Sequence, residues 1–164
     1  MKMWLSRAVL RELLAQAEQF SPLETGGVLL GWREGHDRIV TGLIGPGPMA
    51  LHGRYAFIPD HRWQVENIRR VFAETRGDLD YLGDWHTHPV GAAQMSEIDR
   101  RTLTRMVRKA PNAIMMIAAP SMGGWVTGAW TQAQSTLFHR AQPETCDIQV
   151  FDPPSDWPEA ISPA

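Results

Sequence analysis

The chain has 164 residues, of which 43% are apolar and 21% charged, and its formal net charge at pH 7 is −2. These values suit one globular domain with its own core, and they provide no basic field for nucleic acid. The single cysteine, Cys146, cannot form an internal disulfide, and no segment resembles a membrane span or a secretory signal, so we expect a cytoplasmic protein without membrane contact.

The first half of the chain predicts two helices and three strands. Apolar residues from Trp4 to Ala17 recur at steps of three and four, which predicts an amphipathic helix ending before SPLETGG. GGVLLGW and DRIVTGLIG predict paired strands, and RYAFIP predicts a third, short strand. The segment GPGPMALHG between them is a loop, either a flap or a plain connector. Asp60 caps a second helix, whose predicted buried side is Trp63, Val65, Ile68, Val71 and Phe72.

The second half predicts further strands around one helix. LDYLGDWHTH has the pattern of a strand, and Ser96 begins a third helix that Pro111 ends. AIMMIAAP and GWVTGAWT predict a hairpin, and Ser135–Phe151 predicts one or two more strands. This order favours an α/β (α+β) fold with a curved mixed β-sheet flanked by helices. We assign residues 1–151 to one domain and 152–164 to a Pro-rich tail that is extended or mobile.

The segment GDWHTHPVGAAQMSEID carries a possible metal site. On a strand, His86 and His88 point the same way, so both can reach one zinc ion. Pro89 ends the strand, and the loop of small residues lets Asp99, in the first turn of the next helix, supply an oxygen ligand. Two histidines and one aspartate leave the fourth tetrahedral position open for water, which is typical of catalytic zinc sites.

A zinc hydrolase also needs a carboxylate that moves protons, and Glu24 is the candidate. It precedes Gly26 and Gly27, which either admit a substrate or serve packing alone. Sequence spacing does not bring Glu24 to His86. Simpler interpretations stay open: Ser96-x-x-Asp99 can be a capping box, Glu24 a solvated charge and the histidine pair a surface coincidence. His52 and the other scattered histidines are interpreted as polar surface residues.

Taken together, ETGGVLLG and HTHPVGAAQMSEID resemble the JAMM motif of the MPN (Mov34/JAB) metallopeptidases. The segment YLGDWHTHP is most similar to the compact prokaryotic JAB branch, and the resemblance extends from the first helix to about Trp130. It implies a single MPN/JAB-like domain that binds Zn²⁺ through His86, His88 and Asp99. It further implies Glu24 as general acid/base and Ser96 as a group that stabilises the oxyanion.

The resemblance implies hydrolysis of the bond after the C-terminal glycine of a ubiquitin-like protein, in conjugates or in precursors. The implied partners are that modifier and its conjugates. E1- and E2-like enzymes are implied as well, because this branch often accompanies bacterial ubiquitin-like conjugation systems, including antiviral operons. No covalent intermediate is implied, so Cys146 has no expected catalytic part. Two alternatives stay open: a non-catalytic MPN-type scaffold that binds a ubiquitin-like partner, and a hydrolase that processes sulfur-carrier proteins.

Overall fold

The computed structural model describes residues 1–135 and 141–162, which contain three helices and eleven strands. The helices are α1 (Arg7–Phe20), α2 (His61–Glu74) and α3 (Glu97–Lys109). The strands are β1 (Lys2–Ser6), β2 (Gly26–Glu34), β3 (Asp37–Ile44), β4 (Leu51–His52), β5 (Phe57–Ile58), β6 (Asp80–Thr87), β7 (Ile114–Ser121), β8 (Gly124–Thr131), β9 (Glu144–Thr145), β10 (Asp147–Phe151) and β11 (Ala160–Ser162). Among the described residues, none of these helices combines the length and apolarity that a bilayer crossing requires.

Nine strands form one mixed sheet in the order β10-β1-β3-β2-β6-β7-β8-β9, with β11 paired to β3. The strand β2 is antiparallel to both neighbours, whereas β6 and β7 are parallel. The strands at the two ends of this order, β9 and β10, are joined by Cys146 alone, whose N–H donates to the carbonyl of Ala129 at 2.8 Å. The sheet therefore curves back on itself, and the predicted curved mixed sheet with flanking helices is confirmed.

Helices pack on both faces of the sheet because neighbouring strand residues point to opposite sides. Leu29 of β2 packs in one cluster with α1, whereas Leu30 packs with Val71 of α2. In the same way Met116 of β7 faces α1, and Met115 packs in the cluster of α3. The face that carries α2 and α3 is the one on which the candidate site lies.

The predicted first helix begins too early. The structure places Lys2–Ser6 in β1, between β3 and β10, and α1 starts only at Arg7. Met3 and Leu5 are fully buried, which is the alternation of a strand, and the hydroxyl of Ser6 caps the helix by accepting from the N–H of Ala8 at 3.2 Å. Apolar residues at both strand and helix spacing made the sequence ambiguous here.

Two other predictions need correction around α2. The segment RYAFIP contributes only the two residues of β5, which pair with β4 in a separate small sheet rather than in the main one. Phe72 is 47% exposed and does not belong to the buried side of α2, whereas Gln64 is buried. The amide of Gln64 donates to the carbonyl of Gly45 at 2.9 Å, so a hydrogen bond takes the place expected of an apolar contact.

One or two strands were predicted over Ser135–Phe151; residues 136–140 lie outside the described part of the chain, and β9 and β10 confirm the prediction over the rest. The following tail turns at residues 154–157, where the Trp157 N–H donates to the carbonyl of Pro154 at 3.0 Å, and it then adds β11 to the edge of β3 next to β1. Trp157 packs edge-on against Trp32, with ring centroids 5.1 Å apart. The division between a domain at 1–151 and a tail at 152–164 stays a prediction.

Candidate metal centre and active site

The two histidines of the motif converge at the end of β6. His86 lies on the strand and His88 follows it directly, and their Nε2 atoms are 3.1 Å apart. The other ring nitrogen of His88, Nδ1, donates to the carbonyl of Ala92 at 3.1 Å, which leaves Nε2 unprotonated for a metal. Burial and the nearby charge of His86 lower the pKa of His88, which also favours the neutral, metal-binding form.

Asp99 completes the group from the first turn of α3. Its Oδ1 is 3.1 Å from Nε2 of His86, and its Oδ2 is 3.5 Å from Nε2 of His88. Burial acts to raise the pKa of Asp99, but the hydrogen bond and charge of His86, with hydrogen bonds from Ser96, lower it below its ordinary value. The carboxylate is therefore ionised, as a metal ligand must be.

The capping box considered from the sequence is present. The Ser96 N–H donates to Oδ2 of Asp99 at 2.7 Å, and the Asp99 N–H donates to Oγ of Ser96 at 3.2 Å. These two hydrogen bonds start α3, and they also fix the direction of the Asp99 carboxylate. The capping role and a role at the site are compatible, because Ser96 also lines the cavity that contains Asp99.

These three side chains fit a tetrahedral metal ion. Metal bonds of about 2.0–2.1 Å at tetrahedral angles separate neighbouring ligand atoms by about 3.3 Å. The two Nε2 atoms are 3.1 Å apart, and the Asp99 carboxylate lies 3.1 Å from that of His86 through Oδ1 and 3.5 Å from that of His88 through Oδ2. Two imidazole nitrogens and a carboxylate that converge on one point are a donor set that zinc and similar divalent ions bind. The arrangement therefore has the composition and spacing of a candidate metal site with three protein ligands.

The pairing of β2 with β6 brings Glu24 to this group. Gly26 is the register partner of His86. One residue further, the Thr25 N–H donates to Oγ1 of Thr87 at 2.9 Å, and the Thr87 N–H donates to the carbonyl of Thr25 at 2.9 Å. Glu24 therefore lies at the same end of the sheet as His88, and both line one cavity.

The two glycines after Glu24 are explained by packing. A Cβ atom at Gly27 would collide with the carbonyl oxygen of Ile44 and lie 2.7 Å from Nε1 of Trp85. A Cβ atom at Gly26 would collide with the carbonyl of Trp85 and lie 2.9 Å from a ring carbon of Phe57. The absent side chains let neighbouring strands and the β5 segment approach β2 closely, and this close approach holds Glu24 near the ligands.

The environment of Glu24 suits proton transfer. Partial burial raises the pKa of this carboxyl above its ordinary value, and the charge of Asp99 raises it further, although His86 acts in the opposite direction. A raised pKa brings the titration of this carboxyl closer to neutral pH, at which the group can both accept and release a proton. The site therefore combines a metal position with a carboxylate of suitable basicity.

The cavity around the site has a volume of about 580 Å³. Besides Glu24, Ser96 and the three ligands, it is lined by apolar side chains, among them Phe57, Val90 and Ile98. Asp84 also lines it, and burial raises its pKa to about 6, although the Tyr81 hydroxyl donates to Oδ1 at 2.9 Å. The sequence reasoning missed Asp84, yet its position two residues before His86 on one strand placed it on the same face.

Comparison with known proteins identifies the family. The model for prokaryotic homologs of the JAB domain matches residues 6–133. The chain belongs to this family. The resemblance to JAB-type metallopeptidases that the sequence indicated is thereby confirmed.

Relatives of this JAB-family chain carry names of the same enzyme class. A protein of Sinorhizobium fredii, named a probable metalloprotease, is 30% identical, with 90% of this chain and 96% of that protein covered. A CD-NTase/cGAS isopeptidase of Escherichia coli is 26% identical, over 69% of this chain and 72% of the relative. A protein of Desulfitobacterium hafniense has the same fold in its solution structure, with a TM-score of 0.70, 21% identity and coverage of 93% and 95%.

Proposed function

We propose that this protein is a zinc-dependent isopeptidase that hydrolyses the bond after the C-terminal glycine of a ubiquitin-like protein. The observation that carries the proposal is the convergence of His86, His88 and Asp99 within 3.5 Å of one another, on the wall of the cavity that Glu24 also lines. Relatives named metalloprotease and isopeptidase support the same reaction class. We further propose that the protein acts in the cytoplasm, on a modifier supplied by E1- and E2-like enzymes.

His86, His88 and Asp99 would hold the zinc ion, which supplies a Lewis acid and lowers the pKa of water toward 7 when bound. Glu24 takes a proton from the attacking water and passes it to the nitrogen of the leaving amine as the carbon–nitrogen bond breaks. The products are a free glycine carboxylate and an amine. Oγ of Ser96 already accepts from the Asp99 N–H, so its hydroxyl proton can be donated to the oxyanion of the substrate.

The shape of the cavity supports a substrate with an extended, glycine-rich end. Its open face is flanked by Val90, which is 49% exposed, and Ile98, which is 70% exposed. Apolar side chains at the rim can pack against the body of a partner protein, whereas a backbone without side chains passes most easily between them. A ubiquitin-like fold with a C-terminal glycine combines both properties.

The test uses a ubiquitin-like protein with a Gly-Gly end, fused to a reporter or linked to a lysine, and zinc-loaded enzyme. We expect Glu24→Gln to lower kcat by at least about 100-fold while one zinc ion per chain is retained. Glu34→Gln is the matched control, because Glu34 is an exposed residue at the far end of β2, the strand that Glu24 precedes. Cleavage by Glu24→Gln at the wild-type rate would contradict the proposal.

The same preparation separates the two alternatives. A scaffold would bind the modifier equally well with and without zinc and would never cut it; the complete ligand set makes this outcome unexpected. A hydrolase for sulfur carriers would cut a sulfur-carrier precursor with a Gly-Gly end and leave a lysine-linked conjugate intact. Rates measured on these two substrates side by side therefore distinguish the reactions.

A further inference from the structure

The main chain of Glu24 is held by the small β4–β5 hairpin. Its N–H donates to the carbonyl of Gly53 at 2.7 Å. Nδ1 of His52 lies 2.9 Å from its carbonyl oxygen. A carbonyl oxygen only accepts, so His52 must carry a proton on Nδ1 to make this hydrogen bond. One short segment therefore hydrogen-bonds to both the main-chain N–H and the main-chain carbonyl of Glu24, the candidate general base.

The ring of His52 is itself fixed between two aromatic side chains. It stacks on Phe20 at the end of α1, with centroids 4.1 Å apart and planes inclined by 15°. Phe57 of β5 packs at 5.5 Å with an inclination of 36°. These contacts restrict rotation of the imidazole, so its donor points at the Glu24 carbonyl without further ordering.

The peptide unit between Glu24 and Thr25 is consequently held at both ends. His52 donates to the carbonyl oxygen of Glu24. The N–H of Thr25 donates to the hydroxyl of Thr87, which lies between His86 and His88 in the sequence. A planar peptide group fixed at its oxygen and its nitrogen has little freedom to rotate. The direction in which the Glu24 side chain leaves the backbone is therefore coupled to both the hairpin and β6.

We propose that His52 is a positioning residue that sets the location of the Glu24 carboxylate through the Glu24 main-chain carbonyl. A general base must release and regain its proton in every cycle, so strong permanent partners on its carboxylate would slow it. Placement through the backbone avoids that conflict. The inference rests on the proposed function of Glu24 as the group that moves protons, and it assigns a role to a histidine that is not among the residues lining the cavity.

The test compares two substitutions that separate the donor from the ring. In His52→Asn, the amide nitrogen is bonded to Cγ just as Nδ1 is, so the donor is kept while the stacked ring is lost. In His52→Phe, the ring is kept and the donor is lost. His36→Phe is the matched control, since His36 is exposed in the turn between β2 and β3.

We expect His52→Phe to lower kcat about tenfold with KM within about twofold of wild type, because a misplaced base weakens the chemical step rather than binding. His52→Asn should stay within about threefold of the wild-type kcat, and zinc content should be unchanged in both. Wild-type kcat in a folded His52→Phe protein would overturn the proposal. So would an equal loss in both variants with zinc retained, because the ring and not its donor would then matter.

Nuclear magnetic resonance provides a measurement that does not depend on turnover. We expect His52 to carry its proton on Nδ1. We also expect the signal of the Thr25 amide nitrogen to shift in His52→Phe and to stay at its wild-type position in His52→Asn. A proton found on Nε2 alone would overturn the proposal even if a variant folds poorly. A wild-type protein that binds zinc but cleaves no substrate would overturn the proposed function. In that case the tautomer of His52 would still show whether its Nδ1 donates to the Glu24 carbonyl.

Discussion

Replacement of Thr87 by valine should destabilise the fold at the point where Glu24 meets the metal ligands. Thr87 is fully buried between His86 and His88, and its Oγ1 accepts from the N–H of Thr25 at 2.9 Å. Valine preserves the shape of threonine but leaves that buried N–H without a partner, at a cost of about 1–3 kcal/mol. For a chain of this length, each kcal/mol lowers Tm by about 2–4 °C, so we expect a decrease between about 2 and 12 °C.

The assay is thermal and urea unfolding combined with amide hydrogen exchange. Thr87→Ser is the control, because it loses a methyl group but keeps the oxygen that accepts from Thr25. Both variants should lose some stability, but only Thr87→Val should lose protection of the Thr25 amide. A Thr87→Val protein with the wild-type midpoint and a protected Thr25 amide would refute the reasoning.

Four further outcomes are expected from packing, from the burial of Cys146 and from metal binding. Gly27→Ala should cost about 3 kcal/mol or more in urea unfolding, because its Cβ meets the backbone of Ile44, whereas Gly123→Ala, with open space around it, should be neutral. Burial raises the pKa of Cys146 to about 12 from 9.0, so iodoacetamide should react about a thousandfold more slowly with folded than with urea-unfolded protein at pH 8. Because the thiol of Cys146 keeps its proton in the folded chain and releases it in the unfolded chain, the free energy of unfolding should also fall as the pH rises above about 9. Chelation of the metal should lower Tm in the wild type but not in Asp99→Asn, which lacks an ionised ligand.

The grouping of His86, His88 and Asp99 was predictable because their geometry is local. His86 and His88 share one strand face, and Asp99 lies in the first turn of the following helix, so spacing alone brought them together. Glu24 was different: its approach depends on the register of β2 against β6, which no local pattern encodes, and only the family resemblance indicated it. The structure supplies the physical reason, which is the close contact that Gly26 allows.

The parts that sequence reasoning missed depend on distant backbone partners. β1 lies between β3 and β10, and β10 comes more than a hundred residues later in the chain. The helical spacing of apolar residues in β1 was therefore a misleading guide to its structure. His52 was interpreted as a surface residue, yet its partner is a main-chain carbonyl 28 positions earlier in the chain. A main-chain carbonyl is common to all residues, so no pattern in the sequence singles it out.

The position of His86 within the sheet has a consequence for the metal-free protein. Its strand has hydrogen-bonded neighbours on both sides, with Gly26 of β2 opposite on one side and Ile117 of β7 on the other. The backbone of His86 is thus fixed by the sheet, so this candidate ligand loses little backbone entropy when a metal ion binds. The apoprotein should therefore accept Co²⁺ in place of the native ion without refolding, which would provide a visible absorption band for following ligand exchange directly.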